Sequence, residues 1–220
     1  SAMARLDSLP QGRGRRGRRT ESRPLRRRFL IVCEGAVTEV RYFEAFPVRK
    51  DVLVAIRGEG KSTLSLIDAA VAHATRAAKD DAAYDDVWVV YDADEFGADY
   101  FNRAAEKIRA LNDTRGEKWH AAWSHESFEV WYLLHFEFFD CQLHRTLVNK
   151  KLGEVLGTGY RKNAAGLYDR LLEHQARALQ HARQLAKKHG VAPFGDTPPA
   201  QANPCTQVYL LVEALNDEIR

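Results

Sequence analysis

The chain has 220 residues, of which 45% are hydrophobic and 29% are charged, and its formal net charge is +3. These values are typical of a globular protein with one sizeable core. No apolar run approaches the roughly 20 residues that cross a bilayer and no signal peptide precedes the first predicted strand, so we expect a cytoplasmic protein with no membrane partner. Three widely separated cysteines exclude a disulfide framework and a zinc ribbon.

The positive charge is concentrated at the start of the chain. Residues 1–28 contain ten arginines against two acids, a balance of +8, which leaves −5 for the remainder. Residues 1–27 are therefore predicted to form a disordered arginine-rich tail. An arginine and glycine arm attracts phosphate backbones with little sequence preference, although it is equally consistent with a solubilising extension. The candidate nucleic-acid-binding residues in it are Arg13, Arg15, Arg16, Arg18 and Arg19.

Strands alternate with helices through the next hundred residues. Apolar runs predict strands at residues 28–33, 51–56, 87–91 and 119–123, and helical spacing predicts helices from residue 38 to Pro47, from Ser62 to about residue 78, and over residues 100–111. This alternation predicts an α/β core over residues 28–136, with a mostly parallel sheet and helices on both faces.

Beyond residue 125 the pattern changes to helices alone. Residues 128–139 are densely aromatic and predict a buried helix, residues 167–188 carry apolar side chains at helical spacing, and a last helix is predicted over residues 206–217. We expect residues 137–220 to form a helical extension that packs on the core.

Acidic residues follow two of the predicted strands. Glu34 and Gly35 come directly after the first strand, and Asp92 and Asp94 follow the third. If these strands are neighbours in a parallel sheet, the three acids meet at one edge, where α/β sheets place their chemistry. Such oxygen ligands suit Mg²⁺ or Mn²⁺, and Glu34 could alternatively act as a general base. A lone Asp-x-Asp pair is more often a solvated loop, but the placement of acids after two strands favours a metal site.

Two further positions are candidates. Glu129 lies among apolar residues at the start of an aromatic helix, where it either stabilises the helix N-terminus or contributes to the metal site. Lys162, with Tyr160 close by in the sequence, is consistent with a phosphate contact and equally with ordinary surface.

Several motifs in order resemble the RloB-like family, which is grouped with TOPRIM-fold proteins. They are Ile31-Val-Cys-Glu-Gly-Ala-Val-Thr-Glu39, Tyr42-Phe43, Tyr91-Asp-Ala-Asp-Glu-Phe96, Ser127-Phe-Glu129, Tyr160-Arg-Lys162 and Asn203-Pro-Cys-Thr206. The resemblance covers nearly everything from residue 28 onward. It implies a TOPRIM-like core in which Glu34, Asp92 and Asp94 match the metal-binding acids. It also implies a bacterial anti-phage or restriction-linked role beside an ATPase partner, with nucleic acid, notably tRNA, as the target.

Together these observations predict a Mg²⁺- or Mn²⁺-dependent nuclease, with Glu34, Asp92, Asp94 and Glu129 as catalytic residues and the first three as metal ligands. Two alternatives stay open. One is a non-catalytic subunit that binds nucleic acid or an ATPase partner, because the same fold serves unrelated functions. The other is a metal-dependent phosphotransferase or nucleotide-acting enzyme, which a small closed pocket would favour over an open groove.

Overall fold

The structure, a computed structural model, describes residues 26–93, 97–162, 166–191 and 195–219. Its four longer strands occur at the apolar runs that predicted them: β1 (Arg27–Cys33), β2 (Val52–Gly58), β3 (Asp86–Asp92) and β4 (Lys118–His125). A fifth strand, β5 (Cys205–Thr206), has two residues. The side chains of β1 and β3 are almost completely buried, as expected for central strands that are covered on both faces.

The five strands form one sheet in the order β2-β1-β3-β4-β5. β1 pairs in parallel with both β2 and β3, and β3 pairs in parallel with β4, whereas β5 is antiparallel to β4. The prediction of an α/β protein with a mostly parallel sheet is therefore confirmed. Because β1 and β3 are neighbours, their carboxyl ends lie side by side at one edge of the sheet.

Three helices connect the parallel strands: α1 (Thr38–Glu44), α2 (Thr63–Lys79) and α3 (Ala98–Thr114). The chain moves from β1 to β2 in one direction and then crosses back over β1 to reach β3 and β4. Since such crossovers are right-handed, α1 lies on one face of the sheet, and α2 and α3 lie together on the other. Contacts between α2 and α3 agree with this arrangement.

The remaining helices follow β4. They are α4 (Glu129–Leu133), α5 (Arg145–Leu156), α6 (Leu167–Leu172), α7 (Gln175–His189) and α8 (Val208–Asn216), with a short 3₁₀ helix at Pro199–Gln201. Within the described ranges, none of the helices is both long and apolar enough to span a membrane. Strand β5 lies in the segment that was predicted as a helical extension.

Three sequence-based predictions for this region were wrong in detail. The helix predicted over residues 128–139 ends after five residues, because His135 and Phe136 bond to carbonyls only three residues back and tighten the last turn. The helix predicted over residues 167–188 is broken into two around His174. Thr206 belongs to β5, and its Oγ1 accepts a hydrogen bond from the backbone of Val208, where the last helix begins. Helix α5 was not predicted.

An aromatic cluster joins α1 to α4 on one face of the sheet. The ring of Tyr42 packs edge-on against Tyr132, with centroids 5.4 Å apart, and against Phe128 at 6.0 Å. The indole Nε1 of Trp131 donates a hydrogen bond of 2.9 Å to the Tyr42 hydroxyl. All four side chains are buried. This packing holds the start of α4 beside the carboxyl ends of β1 and β3.

Candidate active site

Glu34 and Asp92 meet at the carboxyl edge of the sheet. Glu34 directly follows β1, and Asp92 is the last residue of the neighbouring strand β3. The Glu34 Oε2 accepts a hydrogen bond of 3.1 Å from the Asp92 backbone N–H. The Glu34 N–H in turn donates to the Val90 carbonyl at 2.9 Å. The two strands are thus linked through their last residues, and the expected convergence of these two acids is observed.

Both acids line a cavity of about 460 Å³ that contains two further carboxylates. We call this cavity the acid pocket; its charged lining residues are Glu34, Glu39, Asp92, Glu129 and Lys162. Four carboxylates that face one small volume repel one another. A cation bound among them would relieve this repulsion.

Glu39 is the carboxylate that sequence reasoning missed. It lies in the first turn of α1 and is only 8% exposed. A signal for it exists in the sequence, because Glu39 falls three or four residues before Tyr42 and Phe43 and therefore shares their buried face. A charged residue on the apolar stripe of a helix needs a partner or a role.

Glu129 enters the acid pocket from the first turn of α4 and is 3% exposed. Its Oε1 accepts a hydrogen bond of 3.1 Å from the Tyr160 hydroxyl, and the Lys162 Nζ lies 3.8 Å from the same oxygen. The side chain of Lys162 is 71% exposed, so this ion pair contributes little to stability. Of the two explanations for Glu129, its position in the pocket favours a contribution to the site.

Burial and neighbouring carboxylates raise the pKa values of two acids in the pocket, Asp92 and Glu39. Burial raises the pKa of Asp92 well above its ordinary range, and the other three carboxylates of the pocket raise it further. Its Oδ1 is enclosed and has no hydrogen-bond partner in the described part of the chain. Burial also raises the pKa of Glu39, with a smaller contribution from Glu129 that the Lys162 ammonium opposes.

Two glycines permit the backbone to close around these acids. A Cβ on Gly35 would lie 2.0 Å from the Glu39 Oε2, so the absence of a side chain makes room for the Glu39 carboxylate. A Cβ on Gly58 would lie 2.8 Å from both the Ala36 Cα and the Val40 Cγ2. The end of β2 can therefore approach the loop after β1 only because residue 58 is glycine.

The remaining predicted site residues have different outcomes. Asp94 and the arginines Arg13, Arg15, Arg16, Arg18 and Arg19 lie outside the described residues. Lys162 lines the acid pocket as described above. Over residues 26–93, 97–162, 166–191 and 195–219, no group of three or more His, Cys, Asp or Glu side chains is arranged to hold a metal ion. The donor chemistry nevertheless fits a hard divalent cation, because Asp92 offers a buried carboxylate oxygen that no described residue bonds, and Glu34 lies beside it.

Comparison with known proteins adds the family. The model of the RloB-like protein family matches residues 29–215, which is most of the chain. The chain belongs to the RloB-like protein family. All four carboxylates of the acid pocket, and Lys162, lie within the RloB-like match. Searches of curated proteins and of solved structures found no match to the chain.

Proposed function

We propose that this RloB-like protein is a Mg²⁺- or Mn²⁺-dependent nuclease with a TOPRIM-type core. The observation that supports this most strongly is the acid pocket itself, in which Glu34 and Asp92 extend from neighbouring parallel strands and the Asp92 Oδ1 is buried without a partner in the described residues. A divalent cation would supply charge neutralisation of a phosphodiester and activation of a water. Its predicted ligands are Glu34, Asp92 and Asp94.

The residues of the pocket have distinct proposed roles. A positive charge bound beside Asp92 would favour its ionised form, because burial and the other carboxylates raise its pKa. Glu34 is a metal ligand or the general base that takes the proton from the attacking water. Glu129 is a further catalytic acid, and the Tyr160 hydroxyl orients its carboxylate. Lys162 is largely exposed at the pocket mouth, where an ammonium group contacts a substrate phosphate.

The proposed substrate is nucleic acid, with RNA such as tRNA as the first candidate and DNA as the second. The arginines of residues 13–19 would increase affinity for the phosphate backbone without selecting sequence. The resemblance to defence-associated proteins extends the proposal to an anti-phage or restriction-linked role with an ATPase partner in the same operon.

The test is cleavage of labelled tRNA, generic RNA and supercoiled DNA by the purified protein in Mg²⁺ or Mn²⁺. We expect Glu34→Gln and Asp92→Asn to lose cleavage while they remain folded by circular dichroism. Matched controls are Glu106→Gln and Asp113→Asn, the same changes at exposed positions of α3. Loss of folding in Asp92→Asn would assign this acid a structural role. Metal-dependent cleavage that survives in both pocket variants would refute the proposed site.

One observation favours a second candidate function, a non-catalytic nucleic-acid-binding or partner-binding subunit. Lys162 already places a positive charge 3.8 Å from Glu129, and thus partly compensates the pocket without a metal ion. In this case nucleic-acid binding would survive both chelation and Asp94→Ala, and no cleavage would be detected in any metal. Cleavage by the wild-type protein would exclude this candidate.

A further inference from the structure

A second cavity lies directly beside the acid pocket, on the other side of Thr38 and Lys162. It measures about 370 Å³, within the range of roughly 300–1,000 Å³ that is usual for small-molecule sites. We call it the aromatic pocket; the residues that define it are Thr38, Arg41, Tyr42, Tyr132, Lys162 and Tyr168. Apart from Lys162, none of these residues has a role in the proposed hydrolysis, and the chemistry of this cavity differs from that of the acid pocket.

The inner wall of the aromatic pocket consists of tyrosine rings. Tyr42, Tyr132 and Tyr168 are each at most 8% exposed, and the ring centroid of Tyr42 lies 5.4 Å from that of Tyr132 and 5.8 Å from that of Tyr168. These side chains belong to the hydrophobic core, so they form a fixed wall of the cavity.

The rim of the aromatic pocket is polar and carries charge. Arg41, Lys162 and Asp169 are exposed around its mouth. A flat aromatic group with an attached anion matches both parts, because the aromatic group packs against the tyrosine side chains that line the cavity and the anion approaches the basic side chains.

The two pockets share a wall that the structure holds in place. Thr38 and Lys162 line both cavities, and the Thr38 Oγ1 donates a hydrogen bond of 2.8 Å to the Lys162 carbonyl. A ligand that bridges this wall presents an anionic group to Lys162 and the proposed divalent cation, and an aromatic group to the aromatic pocket. In a nucleotide a single sugar separates the phosphate from the base, so the two groups of one nucleotide can occupy two adjacent cavities.

We propose that the aromatic pocket binds the base of an unpaired nucleotide next to the phosphodiester held at the acid pocket. This inference rests on the proposed nuclease function and specifies its substrate. A base within a duplex is stacked and paired, so the pocket selects single-stranded segments, loops or bases turned out of the helix. Aromatic stacking tolerates any base, and the preference is therefore for an unpaired base over a paired one.

The test measures binding separately from cleavage. Short fluorescein-labelled single-stranded RNA oligonucleotides, each with one abasic position, are titrated with the full chain in Ca²⁺, which takes the same oxygen ligands as Mg²⁺, and are followed by anisotropy. We expect one abasic position to weaken binding about 5- to 150-fold, the loss that corresponds to the stacking of one base. Ala45→Trp, at an exposed position that lines the pocket, should fill it and abolish the difference between intact and abasic oligonucleotides. The matched control is Ala78→Trp, the same change at an exposed position of α2.

The outcomes separate this inference from the proposed function. If the protein cleaves RNA, but no abasic position changes the affinity and Ala45→Trp binds as the wild type does, the base pocket is refuted and the nuclease proposal is kept. If one abasic position weakens binding and Ala45→Trp removes this difference, but no metal supports cleavage, the base pocket is supported and the nuclease proposal is refuted. If no oligonucleotide binds to the wild-type chain and none is cleaved in Mg²⁺ or Mn²⁺, both are overturned. The abasic series on wild-type protein decides the matter even if Ala45→Trp does not fold.

Discussion

The hydrogen bond between Tyr160 and Glu129 has a measurable energetic consequence. Glu129 is 3% exposed, and its Oε1 lies 3.1 Å from the Tyr160 hydroxyl and 3.8 Å from the largely exposed Lys162 ammonium. A hydrogen bond to a buried charged group contributes about 1.5–3 kcal/mol, whereas an exposed ion pair contributes about 0–1 kcal/mol. We therefore expect Tyr160→Phe to lower the free energy of unfolding by about 1.5–3 kcal/mol, because Lys162 compensates little for the missing hydroxyl.

A double-mutant cycle tests this expectation by urea denaturation at neutral pH. In a Glu129→Gln background the same change removes only a neutral hydrogen bond, worth about 0.5–1.5 kcal/mol, so the two residues should be coupled by about 1 kcal/mol. Tyr84→Phe, at a half-buried tyrosine near the opposite end of β3, is the matched control. A Tyr160→Phe effect no larger than that of the control, with a coupling energy of zero, would refute the view that this hydroxyl supports Glu129.

Three further outcomes follow from other contacts. Because folding raises the pKa of Asp92, the free energy of unfolding of the wild type falls as pH rises from the ordinary pKa of 3.8 through the folded pKa. At neutral pH in EDTA, Asp92→Asn should therefore unfold at a higher temperature than the wild type. Added Mg²⁺ should reduce this difference in thermal unfolding. Burial lowers the pKa of His135 from 6.5 to about 4, so about 3 kcal/mol of stability is lost as pH falls between these values, and urea denaturation of His135→Gln should lack this loss. Gly58→Ala places a Cβ 2.8 Å from the Ala36 Cα and should lower the free energy of unfolding by about 1–3 kcal/mol in urea denaturation. Gly116→Ala should lower it much less, because no atom of the described residues lies within 4 Å of the added Cβ.

The sequence predicted the sheet better than it predicted what surrounds it. Continuous runs such as residues 29–33 and 87–91 are distinctive because a central parallel strand is buried on both faces, and acids directly after such strands must lie at the sheet edge. Glu34 and Asp92 were therefore predictable as neighbours once β1 and β3 were taken as adjacent strands.

The parts that were missed depend on contacts between distant segments. Glu39 belongs to the site because α1 turns its buried face toward α4, and Tyr160 belongs to it because its hydroxyl reaches Glu129, 31 residues earlier. The end of α4 after Leu133 is another case, since apolar side chains continue beyond it and only the tightened backbone bonds end the helix. Local patterns report burial and periodicity, but they do not report which buried faces meet.

Strand β5 can pair with β4 only after the intervening residues have been synthesised, so this pairing forms late. Thr206 pairs with Ser124, 82 residues earlier, and Glu218 binds Arg27 across 191 residues, while α4 with Glu129 packs against β5. Contacts between such distant segments form slowly, because the chain must first close long loops. On the ribosome, a nascent chain whose residues 205–219 are not yet synthesised has an open edge at β4 and lacks part of the support for Glu129. The acid pocket is thus complete only after residues 205–219 have been synthesised and have packed against β4 and α4.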